Sequence, residues 1–418
     1  MKSGTSISAL LLTVAGICGA ATVMAVPKAS ADLSHVLNEA VERNETPGVV
    51  GLVVDRNGVL YAGAAGKLDL SRNDPLPVNA IFNIASMTKP VTSVDVMMLI
   101  EQGKLSLDDP VAKFLPGFDH LKIITKVNDD GTVETRPAKT VMTVRHLLTH
   151  TSGIGYGFAS PTLARLNPNN DKSEWELGLL HEPGEKWSYG ASTRVLGLIV
   201  EKITGESLEA YDQEHIFRPL GMVDTSYAVP RDKQARLIKS YSHVEGMFKP
   251  NQAFPTEAPT EPKPPFMGDG GLYSTAHDYG QFMRMLLNGG HLGNARILSE
   301  KSVHLMGENH IGAVFVSQQQ IGMPALSKPF PLGAGHDKFG LGFQLAADGP
   351  DAHEYRRAGS MSWAGLFNTE FWVDPKTGIG GVLLMQYLPF YDESAIRTLR
   401  EFEGTVYKDL KDLESLTN

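Results

Sequence analysis

The sequence predicts an α+β fold. Segments from both ends of the chain share one antiparallel sheet flanked by helices, and the middle forms a mainly helical second region. Three observations carry that expectation. Two apolar runs, Val49 to Val54 and Val59 to Ala65, flank Asn57-Gly58, and Asn-Gly between such runs is a strong hairpin signal. Towards the other end, His353 to Gly359, Leu366 to Val373 and Ile379 to Gln386 read as three strands. Asp374-Pro375-Lys376-Thr377-Gly378 turns between the last two. Most of the sequence between these ends lacks an obvious strand pattern and contains several helical segments.

Taken in order, Leu33, Val36, Leu37, Ala40 and Val41 recur at helical spacing and predict a helix over residues 33–44. The hairpin follows, then the apolar run Val91 to Ile100, read as a helix. Leu105 to Leu115 is turn-rich. Val141 to Leu148 is a short helix with Thr143 as N-cap. Thr193 to Thr204 is a helix ended by Gly205. Ala276 to Leu287 is another, stopped by Asn288-Gly289-Gly290, and Asp392 to Leu413 closes the chain as a helix. Pro255, Pro259, Pro262, Pro264 and Pro265 exclude helix or central strand from their segment. Residues 311–338 are also loop-like. Long loops of this kind either wall a binding site or run over the surface, and both readings stay open. The sheet region is expected at about 32–110 and 270–418, and the helical region at about 111–269.

Met1-Lys2, the apolar run Ile7 to Ala25 and Ala29-Ser30-Ala31 read as a secretory signal cut after Ala31. The competing reading is an uncleaved membrane anchor, but Gly16, Gly19 and Thr22 dilute the hydrophobicity that a spanning helix needs. The single cysteine, Cys18, lies inside this segment, and Ile17 before it argues against lipid modification. An exported, periplasmic or extracellular chain without disulfides is therefore expected, held by its core alone, with no stable membrane association after cleavage. The net charge of -9 moves to -11 when Lys2 and Lys28 are removed. No basic stripe is present, which argues against a nucleic-acid partner. Hydrophobic content of 42% with 20% charged residues is ordinary for a soluble globular enzyme.

The chemistry is expected at Ser86-Met87-Thr88-Lys89, the one place where a Ser is followed three residues later by a Lys. Directly before the predicted helix at Val91, that spacing puts both side chains on one face, one turn apart. A weak nucleophile then has an amine beside it as base. Chance alone supplies about one such match in a chain this long, so its weight comes from other segments. Pro183-Gly184 makes a turn that leads to Tyr189 on a loop. A loop Tyr beside Lys89 is suited to carrying protons, its pKa lowered by the ammonium; the alternative is a packing Tyr with a bonded hydroxyl. Gly359 to Gly365 enters a strand with small residues that let a substrate approach the backbone.

Together these segments resemble the serine β-lactamase and penicillin-recognising fold. The chain is most similar to the class C-like branch that includes the family VIII carboxylesterases. His146-Leu147-Leu148-Thr149-His150-Thr151-Ser152-Gly153, Gly270-Gly271-Leu272-Tyr273-Ser274-Thr275 and Phe371-Trp372-Val373-Asp374-Pro375 extend the likeness over nearly the whole mature chain. The resemblance implies a serine hydrolase without a cofactor. Ser86 is then the acylated nucleophile, Lys89 and Tyr189 share base and acid duty, and the backbone N–H groups of Ser86 and Leu366 form the oxyanion hole. Trp363, Ala364 and Gly365 would line the substrate.

Two departures bear on specificity. The position two residues after the Tyr, usually Asn in β-lactamases and peptidases of this fold, is Ala191. The site-lining strand, usually Lys-Thr-Gly or His-Thr-Gly, is Trp363-Ala364-Gly365, similar to the Trp-Gly-Gly of the esterase branch. A cation there would bind a carboxylate, worth about 1.5–3 kcal/mol, and Trp cannot. The expected substrate is therefore an uncharged short-chain ester, with a lactam second. A β-lactamase or D-amino-acid peptidase, or a penicilloyl-binding sensor without turnover, remain the alternatives. Lys376-Thr377-Gly378 spells the missing triad but falls in a turn. His146 and His150 have zinc-ligand spacing, but Leu147 stands where H-E-x-x-H needs Glu. No G-x-S-x-G pentapeptide exists for an α/β-hydrolase.

Overall fold

The computed structural model describes residues 28–417 apart from 170, 256 and 350–352. The signal segment up to Val26 and Pro27 lies outside the described residues. Strands β1 (Gly48–Asp55) and β2 (Val59–Gly66) meet as the hairpin expected at Asn57-Gly58. The backbone N–H groups of Asn57 and Gly58 both donate to Asp55 Oδ1 at 2.7 Å, which closes the turn. β1 continues on its other edge into the C-terminal strands. With β3 (Lys338–Phe339), β4 (Gln344–Leu345), β5 (Met361–Gly365), β6 (Thr369–Asp374) and β7 (Ile379–Leu384), the order is β3-β4-β5-β6-β7-β1-β2. Every neighbouring pair is antiparallel. This is the β-lactamase-like α+β architecture.

Helices cover both faces of the sheet. On one side lie α1 (Lys28–Glu42) and α7 (Glu393–Thr417), where Val49 and Val53 pack with Leu33, Leu37 and Phe402. On the other lies α6 (Ala276–Leu287), where Val50, Leu52 and Val54 join Tyr279, Phe282 and Met283. β1 is thus buried on both faces, so its sequence is a continuous apolar run rather than an alternating one.

Behind α6 stands α2 (Thr88–Glu101), buried from Thr88 to Leu99 on all sides, as befits a central helix with no polar face. α3 (Val144–Leu148) starts at the expected cap, Thr143, whose N–H donates to His146 Nδ1 at 3.1 Å. α4 (Ser192–Thr204) ends at Gly205 in the left-handed region, φ +73°. α5 is Leu208–Asp212.

Several expectations are corrected. Residues 353–359 are not a strand. The backbone bends and turns there: the Ser360 N–H donates to the Arg357 carbonyl at 3.0 Å and the Arg357 N–H donates to Asp374 Oδ2 at 3.3 Å, while Arg356 holds Glu403 of α7 through two side-chain bonds of 2.8–2.9 Å. The strand begins at Met361 and runs to Gly365, paired on both sides by β4 and β6. The strand expected at Leu366 begins at Thr369, because Leu366–Asn368 turns, with Asn368 at φ +60°. The middle region also holds two short ribbons, Lys122–Val127 with Val133–Pro137 and Tyr241–Val244 with Met247–Pro250.

Asp95 of α2 and Asp212 of α5 are fully buried beside each other, and apart from one another their carboxyls have no hydrogen-bond partner among the described residues. Burial first, and for Asp212 the neighbouring acid as well, pushes both carboxyls above their ordinary range. Unfolded aspartates release their protons near pH 4. The stability carried by this pair is therefore full below that pH and drains as pH rises towards neutral. Asp95→Asn should gain on the parent by about 1.4 kcal/mol for each pH unit crossed in that window. Thermal melts at pH 5 and pH 8 check this; an identical difference at both would show that the pair does not titrate.

Candidate active site

The turn before α2 is unusually tight. Phe82–Asn83 pairs with Tyr273–Ser274, and Ala85 then takes φ +43°, which costs an L-residue roughly 1–2 kcal/mol. Asn83 Oδ1 accepts from the Ala85 N–H at 2.9 Å, and the Thr88 hydroxyl donates to the Ala85 carbonyl at 2.7 Å. One 3₁₀ turn, Ala85–Met87, leads into the helix. Ser86 therefore stands half-buried at the helix start, at the positive end of its dipole.

The three side chains singled out in the sequence meet here. Lys89 Nζ lies 3.0 Å from Ser86 Oγ, and the Tyr189 hydroxyl donates to the same oxygen at 2.6 Å. Tyr189 arrives on the loop before α4, and its N–H donates to Gln319 Oε1 at 3.0 Å. Gln319 and Phe330, whose ring meets Tyr189 edge-on at 5.5 Å, both come from residues 311–338. That loop is thus a wall of the site. Phe254, from the proline-rich loop, packs with Leu326 and Leu366 against Ala85.

Lys89 is 1% exposed. Its amine sits over the rings of Tyr189 and Tyr156, 4.8 and 5.2 Å from their centres. Burial pulls its pKa down to about 7, opposed by the Asp269 carboxylate. For Tyr189 the expectation is reversed. Burial holds the phenol well above its ordinary value, because desolvation of a phenolate outweighs the lowering effect of the Ser86 and Trp363 side chains.

β5 presents Trp363, Ala364 and Gly365 beside this cluster, and all three are buried. The Trp363 ring lies 5.0 Å from Tyr189. No cation stands on β5. At Gly365 a Cβ would lie 2.3 Å from the Ile84 carbonyl oxygen, so only glycine lets the strand approach the Ser86 turn this closely. Leu366 follows the last ladder pair, Gly365 with Thr369, and packs against Ala85. Lys376-Thr377-Gly378 lies at the opposite end of β6, in the turn, with the Lys376 N–H on Asp374 Oδ1 at 3.0 Å.

The two histidines at zinc spacing have separate roles. His146 caps α3, whereas His150 is packed edge-on against Tyr189 and Phe339, 5.1 and 5.4 Å away. Burial holds His150 well below its ordinary pKa. Sequence reasoning missed Tyr156, Glu174, Arg194 and Asp269, which surround the amine. The signal available was an acid between glycines, Gly268-Asp269-Gly270-Gly271, in an otherwise apolar stretch.

Comparison with known proteins agrees with this architecture. The family described as Beta-lactamase matches residues 33–404. The monacolin J acid methylbutanoyltransferase of Aspergillus terreus is 28% identical, over 90% of this chain and 95% of its own. The lovastatin esterase of Penicillium rubens is 27% identical, over 89% and 94%. Among solved structures, a mutant of simvastatin synthase from Aspergillus terreus superposes with a TM-score of 0.77 at 26% identity, covering 92% of this chain and 98% of that one.

Gly365→Ala should destabilise the protein by about 1–3 kcal/mol. Gly117→Ala, whose added methyl meets nothing within 4 Å, is the control. Equal melting temperatures for the two variants would contradict the close approach at β5.

Proposed function

This chain belongs to the beta-lactamase family of serine hydrolases and acyltransferases, and we propose that it is a carboxylesterase acting on short-chain esters through an acyl-enzyme, with β-lactam hydrolysis as a minor activity. The observation that carries this reading is Ser86 Oγ within 2.6–3.0 Å of both a phenol and a desolvated amine, beside a strand without a cation.

A neutral Lys89 has two N–H donors and one lone pair. In the structure Nζ donates to the Asp269 carbonyl at 2.6 Å and to Ser86 Oγ at 3.0 Å; for the reaction the second bond reverses, and the Ser86 hydroxyl donates to the lone pair of the neutral amine. The amine takes the Ser86 proton as Oγ attacks the ester carbonyl. The N–H groups of Ser86 and Leu366 receive the oxyanion. Tyr189, kept protonated by burial, passes its proton to the leaving alkoxide and regains one from the Lys89 ammonium. Water then releases the acyl group by the same steps in reverse order.

The relatives named as a methylbutanoyltransferase and an esterase support a second outcome for the same intermediate, transfer of the acyl group to an alcohol in place of water. Export is proposed from the leader, with Asp32 as the mature N-terminus. The cut would trim only the first turn of α1, and the buried contacts of Leu33, Val36 and Leu37 lie beyond it. Cell fractionation with N-terminal sequencing tests this, and intact leader in the membrane fraction would refute it.

The activity test compares kcat/KM for p-nitrophenyl butyrate and nitrocefin. The ester should dominate, and dominance of nitrocefin would make the protein a β-lactamase. A single burst without turnover would make it a sensor. Ser86→Ala should abolish turnover and leave the melting temperature unchanged. Because the neutral amine is the active form, kcat/KM should rise with pH about a midpoint near 7 and level off above it.

A further inference from the structure

The amine of Lys89 is held by a second set of residues that the reaction itself does not consume. Asp269, 3% exposed, gives its backbone carbonyl to Lys89 Nζ. Its carboxylate accepts from Arg194 Nε at 3.0 Å through Oδ1, and from the Tyr156 hydroxyl through Oδ2. Arg194 reaches on to Glu174, with Nη1 to Oε2 at 2.9 Å. Tyr156 lies under the amine and 5.2 Å from the Tyr189 ring. The loop carrying Asp269 is fixed to the helix carrying Lys89, since the Thr92 hydroxyl donates to the Gly268 carbonyl at 2.8 Å.

We propose that Asp269, clamped by Arg194 and Tyr156, is the positioning residue for Lys89. On this proposal its carbonyl aims the amine at Ser86, and its carboxylate balances the Arg194 charge so that the amine can change protonation state during the reaction. The proposal rests on the catalytic roles given above to Ser86 and Lys89.

The reasoning is electrostatic. A buried amine with only Arg194 for company would lose its proton too readily and leave no ammonium to resupply Tyr189. With the carboxylates and no Arg194, it would stay charged and could not act as base. The groups facing the amine are Asp269, Arg194 and Glu174, the phenols Tyr156 and Tyr189, and His150. His150 is neutral, and the phenols stay protonated. The balance is therefore set by two carboxylates against one guanidinium. Burial opposes ionisation of Asp269, but Arg194 and Lys89 hold it below its ordinary value.

The test is the acid limb of the acylation burst with p-nitrophenyl butyrate. Asp269→Asn keeps the backbone carbonyl and removes the negative charge, so the limb should move to lower pH by about one unit. Arg194→Met should move it to higher pH, and Arg194→Lys should restore it. Glu174→Gln leaves every contact to Lys89 in place, so it guards against misfolding of the other variants. It should shift the limb in the Asp269→Asn direction by a smaller amount. Bursts reduced in amplitude with an unmoved limb in all variants would overturn the proposal, as would shifts of the same sign in Asp269→Asn and Arg194→Met. A normal burst in Ser86→Ala would instead overturn the catalytic reading beneath it.

Discussion

The structure depends on one desolvated amine. An ammonium placed in a low-dielectric interior without compensation is among the least tolerable arrangements in a folded chain. Here the cost falls on a group that can shed its charge. The aromatic rings around Lys89 exclude water, the Asp269 carbonyl takes up one N–H, and Ser86 Oγ accepts another at 3.0 Å. Burial and Arg194 make the charged form harder to keep, and the carboxylates of Asp269 and Glu174 oppose them. The same burial raises the Tyr189 phenol, so one physical cause moves the two groups in opposite directions.

The sheet makes this burial possible. β5 runs past the Ser86 turn because Gly365 lacks a side chain, and the turn holds its strained Ala85 through bonds from Asn83 and Thr88. α2 is buried on every side, so neither Ser86 nor Lys89 can relax outward. A mobile helix would hydrate the amine and return it to its ordinary pKa. Rigidity and reactivity here have the same origin.

Much of this was legible in the sequence, where local chemistry decides local structure. Asn57-Gly58, Thr143 and Gly205 each act through their own backbone, and each placed an element to within a few residues. Ser86 and Lys89 were legible because they share one helix turn. The strand through Trp363-Ala364-Gly365 was reached through the family resemblance, whereas the strand read over 353–359 was wrong, because residue types do not show which backbone groups find a ladder partner. The direction of the Tyr189 shift was misjudged, since the sequence shows which charges are near but not how much water is removed. Asp269 was missed although it stands between glycines, because the sequence shows an acid but not what it meets. Its partners, Tyr156 and Arg194, come from distant segments, and nothing local ties them together.

The pairing of β1 with β7 joins Val50 to Leu384. A ribosome delivers those residues at opposite ends of its task, so the central ladder stays open until almost the whole polypeptide has emerged. Such long-range closure makes for slow, late maturation. It also leaves the hairpin of β1 and β2 without its partner strand, β7, while the chain between them folds.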